Sequence, residues 1–234
     1  MTGTLYGIGI GPGDPELITL KALRVLQSVP VLAWPAPEDG PSLAREIITE
    51  YLNGTQREIP IRMPLLSTQF PAKEIYDRAS AEISMALSKD EDVAVICEGD
   101  PFFYGSFIYL YGRLMEEYPI EVIPGVSSLT ACAAVLGAPL SAKNDILTIL
   151  PAPLDKEILK CRLAASDSVA IIKVGRHFEK IINILEELGL SGNAKYIERA
   201  TMHDQRILPI MDCDGANVPY FSMILVHKRN EAWK

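Results

Sequence analysis

Val93-Ala94-Val95-Ile96-Cys97-Glu98-Gly99-Asp100-Pro101-Phe102-Phe103-Tyr104-Gly105 is the stretch that decides the fold. Its opening run, Val93 to Cys97, is unbroken apolar sequence. Such a run suits a strand covered on both faces, as in a parallel sheet between helices. Glycine and proline then end it, and Ser106 to Glu117 reads as a helix. The same order occurs at the start of the chain. Leu5 to Ile10 is β-prone, and Gly7-Ile8-Gly9-Ile10-Gly11-Pro12-Gly13-Asp14-Pro15 ends in the same Gly-Asp-Pro. Asp14 suits an N-cap and Pro15 the first helical position. The helix is expected to run through about Gln27, with Leu17, Leu20, Leu23 and Leu26 on its apolar face. Ligands of open α/β sheets gather at the carboxyl ends of strands. Both turns are therefore candidate walls of one small-molecule site.

Working outward, Val29 to Ala33 is a strand candidate and Ser42 to Tyr51 a helix stopped by Asn53-Gly54. Gln56 to Met63 reads as extended and Lys73 to Leu87 as a long amphipathic helix. This alternation predicts a mostly parallel sheet. Tyr118 to Pro124 holds the expected boundary, giving an N-terminal domain at 1–119 and a C-terminal domain at 120–234. Ile120 to Ile123 is a short strand or link. Pro124-Gly125-Val126-Ser127-Ser128 is a turn opening a helix of small residues, Leu129 to Leu136. Beyond it, strands outnumber helices. Ile146 to Leu150, Ser168 to Val174, Ala194 to Ile197, Gln205 to Pro209 and Phe221 to Val226 stand against helices at Asp155 to Ala165 and Phe178 to Leu188. That ratio predicts a mixed sheet.

The net charge of −8 argues against general nucleic-acid binding, which wants a basic face. No apolar stretch approaches the ~20 residues that span a bilayer. Met1 to Tyr6 carries no basic region, so no signal peptide is expected. Cys97, Cys132, Cys161 and Cys213 are far apart, without Cys-x-x-Cys spacing. They are expected as free thiols in a reducing cytoplasm. His177, His203 and His227 are equally scattered, and no metal site is expected.

A dinucleotide fingerprint needs glycines at i, i+2 and i+5. From Gly7, Gly9 and Gly11 the last position falls on Pro12, Asp14 and Glu16. Pro12 also lacks the N–H that a phosphate cradle needs. In the second turn, Glu98 and Asp100 are acids in an apolar setting, and a buried carboxylate has to be paired or hydrogen-bonded. Asp100 either caps the following helix or meets a polar or cationic ligand. Phe102, Phe103 and Tyr104 stand beside it, and aromatic faces near a carboxylate suit a sulfonium or ammonium group. Ser127-Ser128 is either a plain helix cap or part of a site at the domain junction. Lys173 interrupts the apolar run Val169 to Val174; it either snorkels to the sheet edge or points a charge into a cleft. Arg176 and His177 follow at once, and Arg199 ends another strand. A basic cluster at strand ends of an acidic chain points to an anionic substrate. No nucleophile, base and orienter set is recognisable, nor a nucleophile elbow. Substrate and cofactor are then left to supply the reacting atoms.

Together these residues resemble the tetrapyrrole methyltransferases, which use S-adenosylmethionine without a Rossmann fold. The resemblance covers nearly the whole chain. It rests on Gly7 to Asp14, Leu17-Ile18-Thr19-Leu20-Lys21-Ala22, Gly99-Asp100-Pro101 and Pro124 to Ser128. Gly99 to Phe107, Ile172-Lys173-Val174-Gly175-Arg176 and Glu198-Arg199-Ala200-Thr201 resemble one branch, which methylates carbon 20 of precorrin-2 in cobalamin synthesis. The resemblance implies a two-domain α/β fold with a mostly parallel N-terminal sheet and a mixed C-terminal sheet. It implies a cofactor folded in the cleft between the domains, and a homodimer. Cofactor contacts would fall on Pro12, Gly99, Asp100, Phe103, Ser127 and Ser128, with Val174 and Ala200 contributing from the second domain. Lys173, Arg176 and Arg199 would bind carboxylates of the ring. Lys173, by biasing proton loss, and Tyr104, by walling the site, are the candidate catalytic residues. The ring substrate either carries cobalt or does not. Three alternatives stay open: a family member acting at another position of a corrin precursor or of uroporphyrinogen III, a tetrapyrrole or cofactor sensor without turnover, and a methyltransferase of protein side chains.

Overall fold

The computed structural model describes residues 2–63 and 73–229. Its first part runs β1 (Leu5–Gly9), α1 (Leu20–Ser28), β2 (Val31–Pro37), α2 (Leu43–Ile47), β3 (Arg57–Met63), α3 (Lys73–Leu87), β4 (Val93–Cys97), α4 (Phe107–Leu114) and β5 (Ile120–Ile123). The strands form a parallel sheet in the order β3-β2-β4-β1-β5. β1 lies between β4 and β5, with Gly9 opposite Cys97 and Ile8 opposite Ile123. Side chains alternate between the faces of a strand. Val93, Val95 and Cys97 therefore pack with Ile83, Leu87, Phe107 and Leu110 from α3 and α4. Ala94 and Ile96 pack with Ala22, Leu26 and Ile47 from α1 and α2. This two-sided cover is what the unbroken apolar run of β4 requires. Gly7 lets α4 close on the sheet: a Cβ there would lie 2.3 Å from the Phe107 ring.

The helix expected from Asp14 is broken in two. Asp14 caps only a 3₁₀ turn, Pro15–Leu17, and Thr19 starts α1 afresh by accepting from the Ala22 amide. Ile18 between them is extended, and Leu20 is exposed rather than part of the buried face.

The chain divides into compact units at Met1–Ser127 and Ser128–Lys234. The boundary expected at 119/120 moves, because Ile120–Ile123 pairs with β1 and completes the first sheet. The second unit contains α5 (Ser128–Val135), β6 (Leu147–Pro151), α6 (Lys156–Ala165), β7 (Ser168–Ile172), α7 (Phe178–Glu187), β8 (Ala194–Glu198), β9 (Arg206–Leu208) and β10 (Ser222–His227). Its sheet is mixed, in the order β6-β7-β10-β8-β9. β6 and β7 are parallel, while β10 runs antiparallel to both β7 and β8. Leu159, Leu163, Ile181 and Leu185 from α6 and α7 cover one face of it. Among the described residues no helix is long and apolar enough to cross a membrane.

Candidate functional site

In a parallel sheet the carboxyl ends of β1, β4 and β5 share one edge, and the three glycine turns meet there. Gly99 N–H donates to Gly11 O at 2.7 Å and Gly11 N–H to Gly99 O at 3.4 Å, which bridges the two Gly-Asp-Pro turns. The turn after β5 closes on this bridge. A Cβ on Gly125 would lie 2.1 Å from Gly99 O, and one on Gly9 would lie 2.5 Å from Gly125 N. Only glycine lets three backbones approach so closely. Pro12 is buried beside them.

Asp100 ties two of the turns together. Its Oδ1 accepts from Phe102 N–H at 2.9 Å and its Oδ2 from Gly125 N–H at 3.1 Å. It does not cap α4, whose preceding residue is Ser106. A carboxylate has about four acceptor sites, so capacity for a ligand remains. The aromatic run divides. Phe102 leans edge-on against Tyr111 at 5.0 Å, while Phe103 and Tyr104 make their own T-shaped pair at 5.2 Å. Tyr104 is half exposed and holds a φ of 57°, uncommon for a bulky residue. Glu98 is half-buried; loss of water pushes its carboxyl up, opposed by the backbone amides of Glu98 and Ala44. Burial pushes the Cys97 thiol up to about 12, which leaves it a thiol rather than a nucleophilic thiolate. Ser127 is half-buried at the end of the first unit, and Ser128 is the exposed first residue of α5.

The second unit carries the basic residues. β7 and β8 run in the same direction because each is antiparallel to β10, so their carboxyl ends share one edge. Lys173 to Arg176 follow β7, and Arg199 to Thr201 follow β8. Lys173 does not interrupt the strand as expected; the strand ends at Ile172 and Lys173 turns the chain at a φ of 58°. Arg199 and Thr201 also lie in the left-handed region, at φ of 47° and 70°. Such positions are enriched at functional turns. Arg176 is exposed, and Arg199 Nη1 pairs with Asp204 Oδ2 at 2.7 Å. Loss of water first, then Lys180 and Arg176, hold the His177 imidazole below its ordinary range. The side chain of Val174 is fully buried in the core near Phe178, so only its backbone can meet a ligand. Ala200 is buried as well.

Two features escaped the sequence reading. The Gly125 amide, the partner of Asp100, shows only as a glycine in a turn. Glu198, directly before Arg199, is buried and accepts from the Tyr196 hydroxyl at 2.8 Å, with Arg206 Nη1 3.5 Å from its other oxygen. Burial pushes the Tyr196 hydroxyl up. The motif Glu198 to Thr201 named the residue, but its place at the end of a strand gave no sign of its burial. Among the described residues no three His, Cys, Asp or Glu side chains are grouped to hold a metal ion.

A sequence model of the family described as Tetrapyrrole (Corrin/Porphyrin) Methylases matches residues 4–211. The chain is 38% identical over 232 residues to the cobalamin biosynthesis protein CobIJ of Mycobacterium tuberculosis (strain ATCC 25618 / H37Rv). That match covers 96% of this chain and 46% of the relative, so the chain spans about half the relative's length. It is 34% identical over 232 residues to a precorrin-2 C(20)-methyltransferase of a Sinorhizobium species, covering 96% of this chain and 95% of that one. Among solved structures, the uroporphyrin-III C-methyl transferase of Thermus thermophilus complexed with S-adenyl homocysteine superposes with a TM-score of 0.72 at 23% identity. That alignment covers 96% of this chain and 97% of the other, and it speaks for the fold.

Proposed function

Because this chain belongs to the tetrapyrrole (corrin/porphyrin) methylases, we propose that it methylates carbon 20 of precorrin-2, or of its cobalt complex, in cobalamin biosynthesis. S-adenosylmethionine is the methyl donor. The observation that carries the ring position is the near end-to-end match to the Sinorhizobium enzyme of that name.

The residues present fit a sulfonium cofactor. The three turns of the first unit press backbone against backbone, and Pro12 lacks a donor beside them. A carboxylate and aromatic surface adjoin, which suits a cation rather than a phosphate. When bound, the cofactor supplies an electrophilic methyl carbon. The chain's own part is orientation and exclusion of water. Gly99, Pro12 and Asp100 hold the cofactor against the bridged turns, Phe103 and Tyr104 wall it, and Ser127 and Ser128 add hydroxyls. The resemblance adds Val174 and Ala200 as further cofactor positions, Val174 through its backbone. Lys173, Arg176 and Arg199 take carboxylates of the ring, and Lys173 biases loss of the ring proton. We place the enzyme in the cytoplasm as a homodimer.

The test is an anaerobic incubation with methyl-labelled S-adenosylmethionine and precorrin-2, with and without cobalt in the ring. Label at carbon 20 is expected. Label at another carbon would reassign the position, and transfer to neither ring would overturn the reading.

A further inference from the structure

Two exposed aromatics stand between the basic turns of the second unit, and the proposed chemistry leaves them without a task. Tyr220 and Phe221 are 62% and 40% exposed. They directly precede β10, the strand flanked by β7 and β8. Phe221 O accepts from Arg199 N–H at 2.7 Å, which fixes one side. On the other side, Tyr220 Cα lies 3.7 Å from where a Cβ on Gly175 would sit. The segment is held from beneath by Ser222, whose hydroxyl donates to Pro219 O at 2.7 Å. The two rings pack edge to face, 5.2 Å apart at 84°. One apolar pair thus lies on the same sheet edge as Lys173 and Arg176 to one side and Arg199 to the other.

We propose that Tyr220 and Phe221 form a platform for an anionic macrocycle, one ring lying against its conjugated face and the other, at 84° to the first, meeting it edge-on, with its carboxylates taken by the flanking arginines; this rests on the tetrapyrrole reading. Aromatic faces bind flat conjugated systems with little regard to their substituents, and cations fix the charged rim. Arg199 shares its charge with Asp204, so Arg176 is the stronger of the two carboxylate partners. A lone aromatic pair on a protein surface also suits contact with a second copy of the chain, and the test separates the two.

The full chain is titrated with uroporphyrin III, a flat octacarboxylate ring, by its absorption band at low and high salt. The Tyr220→Ala/Phe221→Ala variant is expected to bind about tenfold more weakly at both salt concentrations, the loss that stacking supplies. Tyr220→Phe should restore Tyr220's share. Arg176→Gln should lose affinity mainly at low salt, since screening already weakens that contact at high salt. S-adenosylmethionine affinity, read by calorimetry, should not change and so certifies the fold. The platform is overturned if the double variant binds the porphyrin within about twofold of the parent while cofactor affinity holds. It is also overturned if the substitutions lower only the sedimenting mass. A parent protein that binds S-adenosylmethionine but no porphyrin would instead sink the tetrapyrrole reading, and the platform with it.

Discussion

The two sheet edges are built from different materials. In the first unit, Gly9, Gly11, Gly99 and Gly125 bring three turns together as bare backbone, and Asp100 secures them through two amides. In the second unit, the corresponding strand ends carry Lys173, Arg176 and Arg199, with two of these three in the left-handed region. Each such residue costs about 1–2 kcal/mol relative to glycine. Glycine would remove that cost but also remove the charge. One edge therefore supplies a fixed shape and the other a set of exchangeable charges. Substitutions should be punished in proportion to shape at the first edge and in proportion to chemistry at the second.

The largest effect is expected at Gly125. An alanine methyl would meet Gly99 O at 2.1 Å, and backbone on both sides cannot turn aside. Gly125→Ala should cost about 3 kcal/mol in urea unfolding, or yield no soluble protein. Gly175→Ala is the matched change in the second unit. Its methyl would find nothing nearer than 3.7 Å, and the cost should stay near 1 kcal/mol, from the φ of 34° alone. Equal losses at the two sites would break the contrast between shape and charge.

Next comes Glu198→Ala, which takes the Glu198 acceptor from the buried Tyr196 hydroxyl and a partner from Arg206. A loss of about 2 kcal/mol is expected, with Glu198→Gln losing about half as much because one acceptor survives. Arg199 follows immediately, so the surviving protein should show a raised KM for the ring and an unchanged KM for the cofactor. A change in cofactor KM alone would show that Glu198 does not support the basic edge.

Much of this contrast was legible in the sequence. Val93 to Cys97 announced a doubly covered strand, and the glycine spacing excluded a dinucleotide fingerprint. The extent of β4 and of Lys73–Leu87 followed from local periodicity. Long-range pairing was hidden. Nothing local says that Ile120–Ile123 joins the first sheet, since that is decided by β1 more than a hundred residues away. The break at Ile18 was missed because Thr19 competes with Asp14 as a cap, and both are good ones. Val174 enters the expected site only through the resemblance, and nothing local shows that its side chain turns into the core. Phe221 read as the first residue of a strand and Tyr220 drew no reading; only the antiparallel order β7-β10-β8 sets the pair between two basic turns.

The smallest effect concerns acids, and it takes opposite signs in the two units. Burial raises the Glu98 carboxyl above its ordinary range, so the folded chain holds a proton that the unfolded chain has released. Its contribution to stability is therefore greatest below the ordinary carboxylate range and falls as pH rises through the raised value. Glu187 runs the other way. Lys156 and then Lys160 hold it down to about 2, so its contribution is present above the ordinary range and fades as pH falls towards 2. Glu187 is exposed and solvent-screened, and Glu187→Gln should move stability only slightly, downward, at neutral pH. Glu98→Gln should match the parent in acid and exceed it at pH 8 by about 1 kcal/mol or less, since the amides of Glu98 and Ala44 offset part of the burial cost. Urea midpoints of both variants across that pH range read the two signs directly. A Glu98→Gln variant weaker than the parent at every pH would mean that those amide bonds outweigh the desolvation, and that the acid beside the first edge is part of its fixed frame.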